Sequence, residues 1–125
     1  MGKYGEVAIK AVEICKKNID PVEAWNMAAK DVFSNSNSSI KKVCPKSAFL
    51  GLCEEGLIKN ISSGSYTRSV DNKKYAIEAL ALLKEKPELK LEQKKLWEMI
   101  MKGKEKKHNS QLDVVISLFE AGFTK

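Results

Sequence analysis

CPKSAFLGLCEEGLIKNISSGSY, residues 44–66, reads as a helix with a marked start and stop, followed by an extended segment that turns back. Pro45 suits the first helical position, where its missing N–H leaves nothing unpaired. Gly56 suits the left-handed residue just past a helix end, and Leu57 supplies the apolar contact of a Schellman stop. Leu57 to Ile61 and Tyr66 to Ser69 flank Ser63-Gly64, a pattern that predicts a short β-hairpin over about residues 57–69. An isolated hairpin is marginal, so this one would have to lean on helices.

Upstream, Tyr4 to Lys17 carries an apolar stripe at helical spacing: Tyr4, Val7, Ala8, Ala11, Val12, Ile14 and Cys15. Asp20, Pro21 and Glu23 form the start signal of a second helix, with capping-box spacing, that runs to about Phe33. Ser34 to Val43 reads as a polar loop ending in Lys41 and Lys42. Downstream, Asp71 is the candidate cap of a fourth helix that Pro87 stops. Apolar residues cover nearly its whole circumference, so it is expected to be the most buried helix. A fifth helix spans about Leu91 to Lys102, and Gly103 ends it. After a basic loop, Ser110 and Asp113 have capping-box spacing for a sixth helix that stops at Gly122-Phe123. The expected fold is all-α: six helices.

The two halves resemble each other. AIKAVEICK (8–16) aligns with AIEALALLK (76–84), WNMA (25–28) with WEMI (97–100), and LCEEGLIK (52–59) with LFEAGFTK (118–125), at offsets of 68, 72 and 66 residues. Amphipathic helices resemble one another by chance, but the Trp-x-Met match and the shared Gly stop are more specific. The reading is two related three-helix units, about residues 4–59 and 72–125, packed into a single compact domain about a pseudo-twofold axis. It expects Trp25 and Trp97 in equivalent surroundings. A unit of about 55 residues is marginal alone, and pairing two enlarges the core.

The chain has 125 residues, 43% of them apolar, and a formal net charge of +6. Three cysteines without paired spacing point to reduced thiols and a cytoplasmic location. No secretion signal and no membrane-length apolar run is visible, so no membrane association is expected. Of the 22 basic residues only Arg68 is arginine, which argues against specific base reading by guanidinium forks. A lysine coat serves solubility, and it also attracts polyanions.

The run Cys44 to Leu57, together with His108-Asn109-Ser110-Gln111 and Asp113-Val114-Val115, resembles a family of small bacterial proteins of unknown function. That resemblance spans the chain and implies a bacterial cytosolic protein, with no activity to carry over. A weaker likeness is to winged-helix regulators: Glu54-Glu55-Gly56-Leu57-Ile58, then Gly64 and Tyr66, would be a recognition-helix end and a wing. The loop 34–43 is longer than a helix-turn-helix turn, and Glu54 and Glu55 would repel phosphate.

Among chemical candidates, Cys44 precedes Pro45 at a helix start beside Lys42 and Lys46, an environment that can activate a thiol. A nucleophile needs a base, and His108 is the only histidine. Cys15 and Cys53 fall in apolar stripes and read as core thiols. With no close cysteine pair, neither a metal nor another cofactor is expected. Trp25 and Trp97 read as core in preference to a stacking platform.

The 66-residue offset sets Lys41 opposite Lys107 and Cys44 opposite Ser110, so each half places lysines ahead of a helix start. Backbone N–H groups and the helix dipole attract phosphate there. The favoured expectation is therefore a non-enzymatic binding module. It would touch a nucleic-acid backbone through Lys41, Lys42, Lys46, Lys104, Lys106, Lys107 and Ser110. The alternative is a protein-interaction module or small regulatory subunit using an apolar groove between the units.

Overall fold

Six helices of nine residues or more carry the fold in the computed structural model, which describes residues 2–125. They are α1 (Lys3–Cys15), α2 (Pro21–Val32), α4 (Val43–Glu54), α5 (Val70–Glu85), α6 (Gln93–Met101) and α7 (Gln111–Glu120). Two shorter pieces fill the connections: a one-turn helix α3 (Asn37–Ile40), and a 3-10 helix at Pro87–Leu91. The all-α expectation holds.

Local signals account for most of the ends. The Asp20 carboxylate accepts from the N–H groups of Val22 and Glu23 (3.0 and 3.3 Å), with Pro21 at the first position of α2. At the stop of α4, Gly56 is left-handed (φ +71°) and the Leu57 N–H donates to the Leu52 carbonyl at 3.0 Å. At the stop of α7, Gly122 has φ +78° and the Phe123 N–H donates to the Leu118 carbonyl at 3.1 Å. A Cβ is disfavoured in that conformation, so glycine ends both helices.

Several boundaries differ from the sequence reading. Helix α4 begins at Val43, so Cys44 is its second residue and Pro45 its third. The polar loop 34–43 is interrupted by α3, whose cap is the Ser36 hydroxyl accepting from Ser39 N–H. Helix α5 starts at Val70 with Ser69 before it, which puts Asp71 inside the first turn.

The most buried helices are α4 and α7, not α5. Helix α5 exposes Val70 and Ala81, whereas α7 buries seven of its ten residues. The reason is position. Helices α4 and α7 pack against each other at the centre, α1 lies on α2 and α7, and α5 lies on α4 and α7.

The expected hairpin is absent, and the described residues contain no β-sheet. Ile58 instead forms an isolated antiparallel bridge with Thr124. Lys59 N–H donates to Phe123 O (2.8 Å), and Lys125 N–H to Leu57 O (2.9 Å). The bridge therefore joins the two Gly-stopped tails, and it pairs the residues that the 66-residue offset aligns. The rest of segment 57–69 is held by Glu54, whose carboxylate accepts from Tyr66 and Thr67 N–H at 2.7 and 3.2 Å. Its backbone donors are satisfied by this helix-borne acid, so it does not pair with itself. Without the ribbon, the part of the winged-helix likeness that needed a wing fails.

Trp25 and Trp97 are both buried, as core residues should be, but their surroundings differ. Trp25 is fully enclosed and packs its ring 5.3 Å from Phe49 of α4. Trp97 meets Tyr75 of α5 edge-on at 5.5 Å. Where α4 has Phe49, α7 has Val115; where α5 has Tyr75, α1 has Val7. The aromatic partner sits on a different neighbour in each half, so the two indoles do not occupy equivalent pockets.

Candidate nucleic-acid interface

The first turn of α1 meets the segment that carries Lys42 and the first turn of α7. Gly2 and Gly5 donate their N–H groups to the two oxygens of Asp113, each at 2.8 Å. An added side chain at Gly2 would put its Cβ 2.6 Å from Asp113 Oδ2, so the carboxylate would have to shift to admit it. Between them in sequence lies Tyr4. Its hydroxyl donates to Ser39 O at 2.9 Å, and Lys42 Nζ stands 5.4 Å from its ring centre. One turn of α1 thus touches both the segment leading into α4 and the first turn of α7. This brings Lys42 to the same end of the bundle as the start of α7.

The capping box expected at Ser110 does not form. Ser110 is left-handed (φ +68°), and its hydroxyl makes no cap bond. Asp113 is turned toward α1 instead. The start of α7 is satisfied by His108, whose Nε2 accepts from Leu112 N–H at 3.0 Å, while Gln111 Oε1 accepts from Asn109 N–H at 2.7 Å. Burial pushes the His108 imidazole below its ordinary pKa, and Lys42 pushes the same way; Asp113 opposes them. The neutral ring can accept from an amide, and an imidazolium cannot. His108 thereby takes one N–H of this helix start, that of Leu112, and the Ser110 hydroxyl takes none.

The basic loop 102–110 is tied down. Trp97 Nε1–H donates to Lys106 O at 2.9 Å, and His108 packs edge-on against the same indole at 5.1 Å. Lys106 Nζ stands 5.1 Å from the Tyr75 ring centre. Lys102 and Gly103 are both left-handed, which turns the chain out of α6. Lys41, Lys104, Lys106 and Lys107 are exposed, while Lys42 and Lys46 are half-buried. Among the described residues none of these six lysines forms an ion pair. The closest mixed-charge cluster is elsewhere, where Lys73 reaches Glu54 (2.5 Å) and Glu55 (2.6 Å). The Lys73 ammonium first, and then the Tyr66 and Thr67 N–H groups, hold the Glu54 carboxyl below its ordinary pKa.

Cys44 is half-buried near the start of α4. No hydrogen bond joins it to His108, whose Nε2 is taken by Leu112. Burial raises the Cys15 thiol to about 11 and pushes Cys53 further up, as befits core thiols. No cluster of three metal-ligating side chains occurs among the described residues. No helix among them is long and apolar enough to cross a membrane.

Tyr4 lies in the apolar stripe and Trp97 in the core, as their spacing predicts, while Asp113 departs from a local cap and turns to α1.

Over residues 1–125 the sequence matches a family of unknown function, DUF6979. No curated protein and no solved structure matches it. The chain belongs to that family.

Proposed function

We propose that this member of the family is a non-enzymatic binding module that holds nucleic acid by its phosphate backbone. Lys41, Lys42 and Lys46 would act from the α4 side, and Lys104, Lys106 and Lys107 from the α7 side. The observation that supports this is the convergence on α1: Lys42 over Tyr4, and Asp113 on Gly2 and Gly5, at one end of the bundle. Unpaired lysines on the segments before α4 and α7 suit a backbone, whose charges repeat along its length. The near absence of arginine fits contact without base-edge reading in a groove.

The test is fluorescence anisotropy of labelled DNA and RNA oligonucleotides across a salt series. About four to six phosphate contacts give a slope of roughly −3 to −5 in log affinity against log salt. Replacing Lys42, Lys46, Lys106 and Lys107 together by Glu should flatten that slope and weaken binding at least about tenfold. Absence of binding at low salt, or affinity indifferent to those four changes, rules the proposal out.

A second reading has its own observation. Val70 (75% exposed) and Ile77 of α5 line a groove of about 430 Å³ against Glu54 of α4 and Thr67 of the connecting segment, with Lys73, Lys74 and Glu78 at its edge. Exposed apolar side chains in such a groove suit a protein partner. This reading requires oligonucleotide binding to be absent and Val70→Glu to abolish a self-association or partner complex seen by sedimentation.

A further inference from the structure

Resting on the protein-partner reading, we infer that the partner is a second copy of this chain, laid antiparallel along the outer face of α5 about a twofold axis near Ile77. Apolar residues cover nearly the whole circumference of α5, and a helix of that kind is buried on all sides. Within one chain α5 is not. Val70 is 75% exposed, Ala81 is exposed, and Ile77 and Leu82 are half-buried. Two depressions lie along this face. One is the groove of about 430 Å³ that Val70 and Ile77 line. The other, of about 290 Å³, lies between α5 and α6 and is lined by Ala81, Leu82 and Met99. Glu78 borders both, so they follow one another along the helix.

The charges select the occupant, because the face is complementary to itself. Lys74 and Glu78 lie one turn apart on it, with the lysine first, the weaker order for a pair within one helix. Among the described residues neither forms an ion pair, so both charges are open to a partner. Lys73 is already held by Glu54 and Glu55. Val70 lies four residues before Lys74, and Leu82 four residues after Glu78. In an antiparallel pair, the register that sets Lys74 against the partner's Glu78 therefore also sets Val70 against the partner's Leu82. The protruding Val70 of each copy enters the other's depression beside Met99, and Ile77 meets its own copy near the axis. Each contact occurs twice, as a closed twofold interface requires. A head-to-tail arrangement would leave one Val70 and one depression uncovered.

The experiment is sedimentation equilibrium of the unaltered chain and of four variants, with circular dichroism to show that each is folded. The unaltered chain should give a concentration-dependent monomer–dimer equilibrium. Lys74→Glu and Glu78→Lys each turn both ion pairs into like-charge contacts, so each should weaken the dimer at least about thirtyfold. The two changes together re-create the pairs with the charges exchanged. They should return the dissociation constant to within about fivefold of the original, the remainder reflecting the better order for pairing within each helix. Val70→Glu should abolish the dimer. Single variants that dimerise as the original does, or a double variant as weak as the singles, overturn the proposed pairing. A chain that stays monomeric at up to about 1 mM overturns the second copy. If Val70→Glu then breaks a complex with a different protein, the protein-partner reading stands without it. A dimer that Val70→Glu leaves intact removes both.

Discussion

Helices α4 and α7 end alike and begin differently. Their tails share a left-handed glycine, the same carbonyl-closing bonds and one bridge, Ile58 to Thr124. Their N-terminal halves reach across to different partners. From α7, Asp113 caps the start of α1 directly. At the aligned position of α4, Ser47 acts through Thr67: the Thr67 hydroxyl donates to Ser47 Oγ at 3.3 Å and accepts from Ser69 N–H at 3.1 Å, just ahead of α5. A charged cap and a hydroxyl relay, from residues 66 apart in the sequence, thus steady the starts of two different helices. Only the α7 side also carries a long basic loop, held by Trp97 and His108.

The sharpest way to break this comparison is at the helix crossings. A Cβ on Gly51 would lie 2.7 Å from Lys73 Cα, a backbone atom that cannot give way cheaply. Gly51→Ala should lower stability by about 2–3 kcal/mol in urea unfolding. Ser117→Ala, at the aligned position of α7, should stay within about 1 kcal/mol, because it adds no atom to the crossing. Equal losses would mean that the two crossings are equally tight.

The caps come next. Asp113→Ala leaves two N–H groups of α1 without their acceptor and should cost about 1–2 kcal/mol. Ser47→Ala removes only one hydroxyl of a relay, so its effect should be less than about 1 kcal/mol. A reversed order would show that the relay, and not the carboxylate, carries the greater share.

The tryptophans give a smaller and more local contrast. Trp97→Phe deletes the bond to Lys106 O, about 1 kcal/mol, and should speed tryptic cleavage between Lys104 and Lys107 under native conditions. Trp25 Nε1 has no acceptor among the described residues, so Trp25→Phe removes no hydrogen bond. That change should leave loop cleavage at its original rate.

The smallest effect is the pH dependence of the α7 cap. Burial holds the folded His108 below its ordinary value of 6.5, so the unfolded chain binds the proton more readily. The stabilisation is present above about pH 6.5 and is lost as pH falls below it toward the folded value. Urea midpoints should therefore drop between pH 7.5 and 5.5, and His108→Gln should flatten that drop. As His108 is the only histidine, its NMR titration gives the folded value directly. A value at or above 6.5 would contradict the buried neutral cap.

Much of the fold was legible in residues close together in the chain. Asp20 and Pro21 announced α2, and Gly56 and Gly122 announced two stops, because caps and left-handed turns are settled within one helical turn. The lysines of the candidate site were equally visible as composition. Where local signals competed with distant ones, the reading went astray. Ser110 and Asp113 have the spacing of a capping box, yet the carboxylate finds two better donors more than a hundred residues away. Segment 57–69 has the pattern of a hairpin, yet Glu54 and Thr124 satisfy its backbone first.

The six longer helices, the chemistry of the stops and the lysine-rich surface were thus legible in the sequence alone, since each depends on a few neighbouring residues. Which helix lies at the centre, which acid caps which helix and which lysines share an end were decided by packing. A carboxylate or an amide bonds whichever partner the fold brings within 3 Å, and sequence separation does not enter that distance.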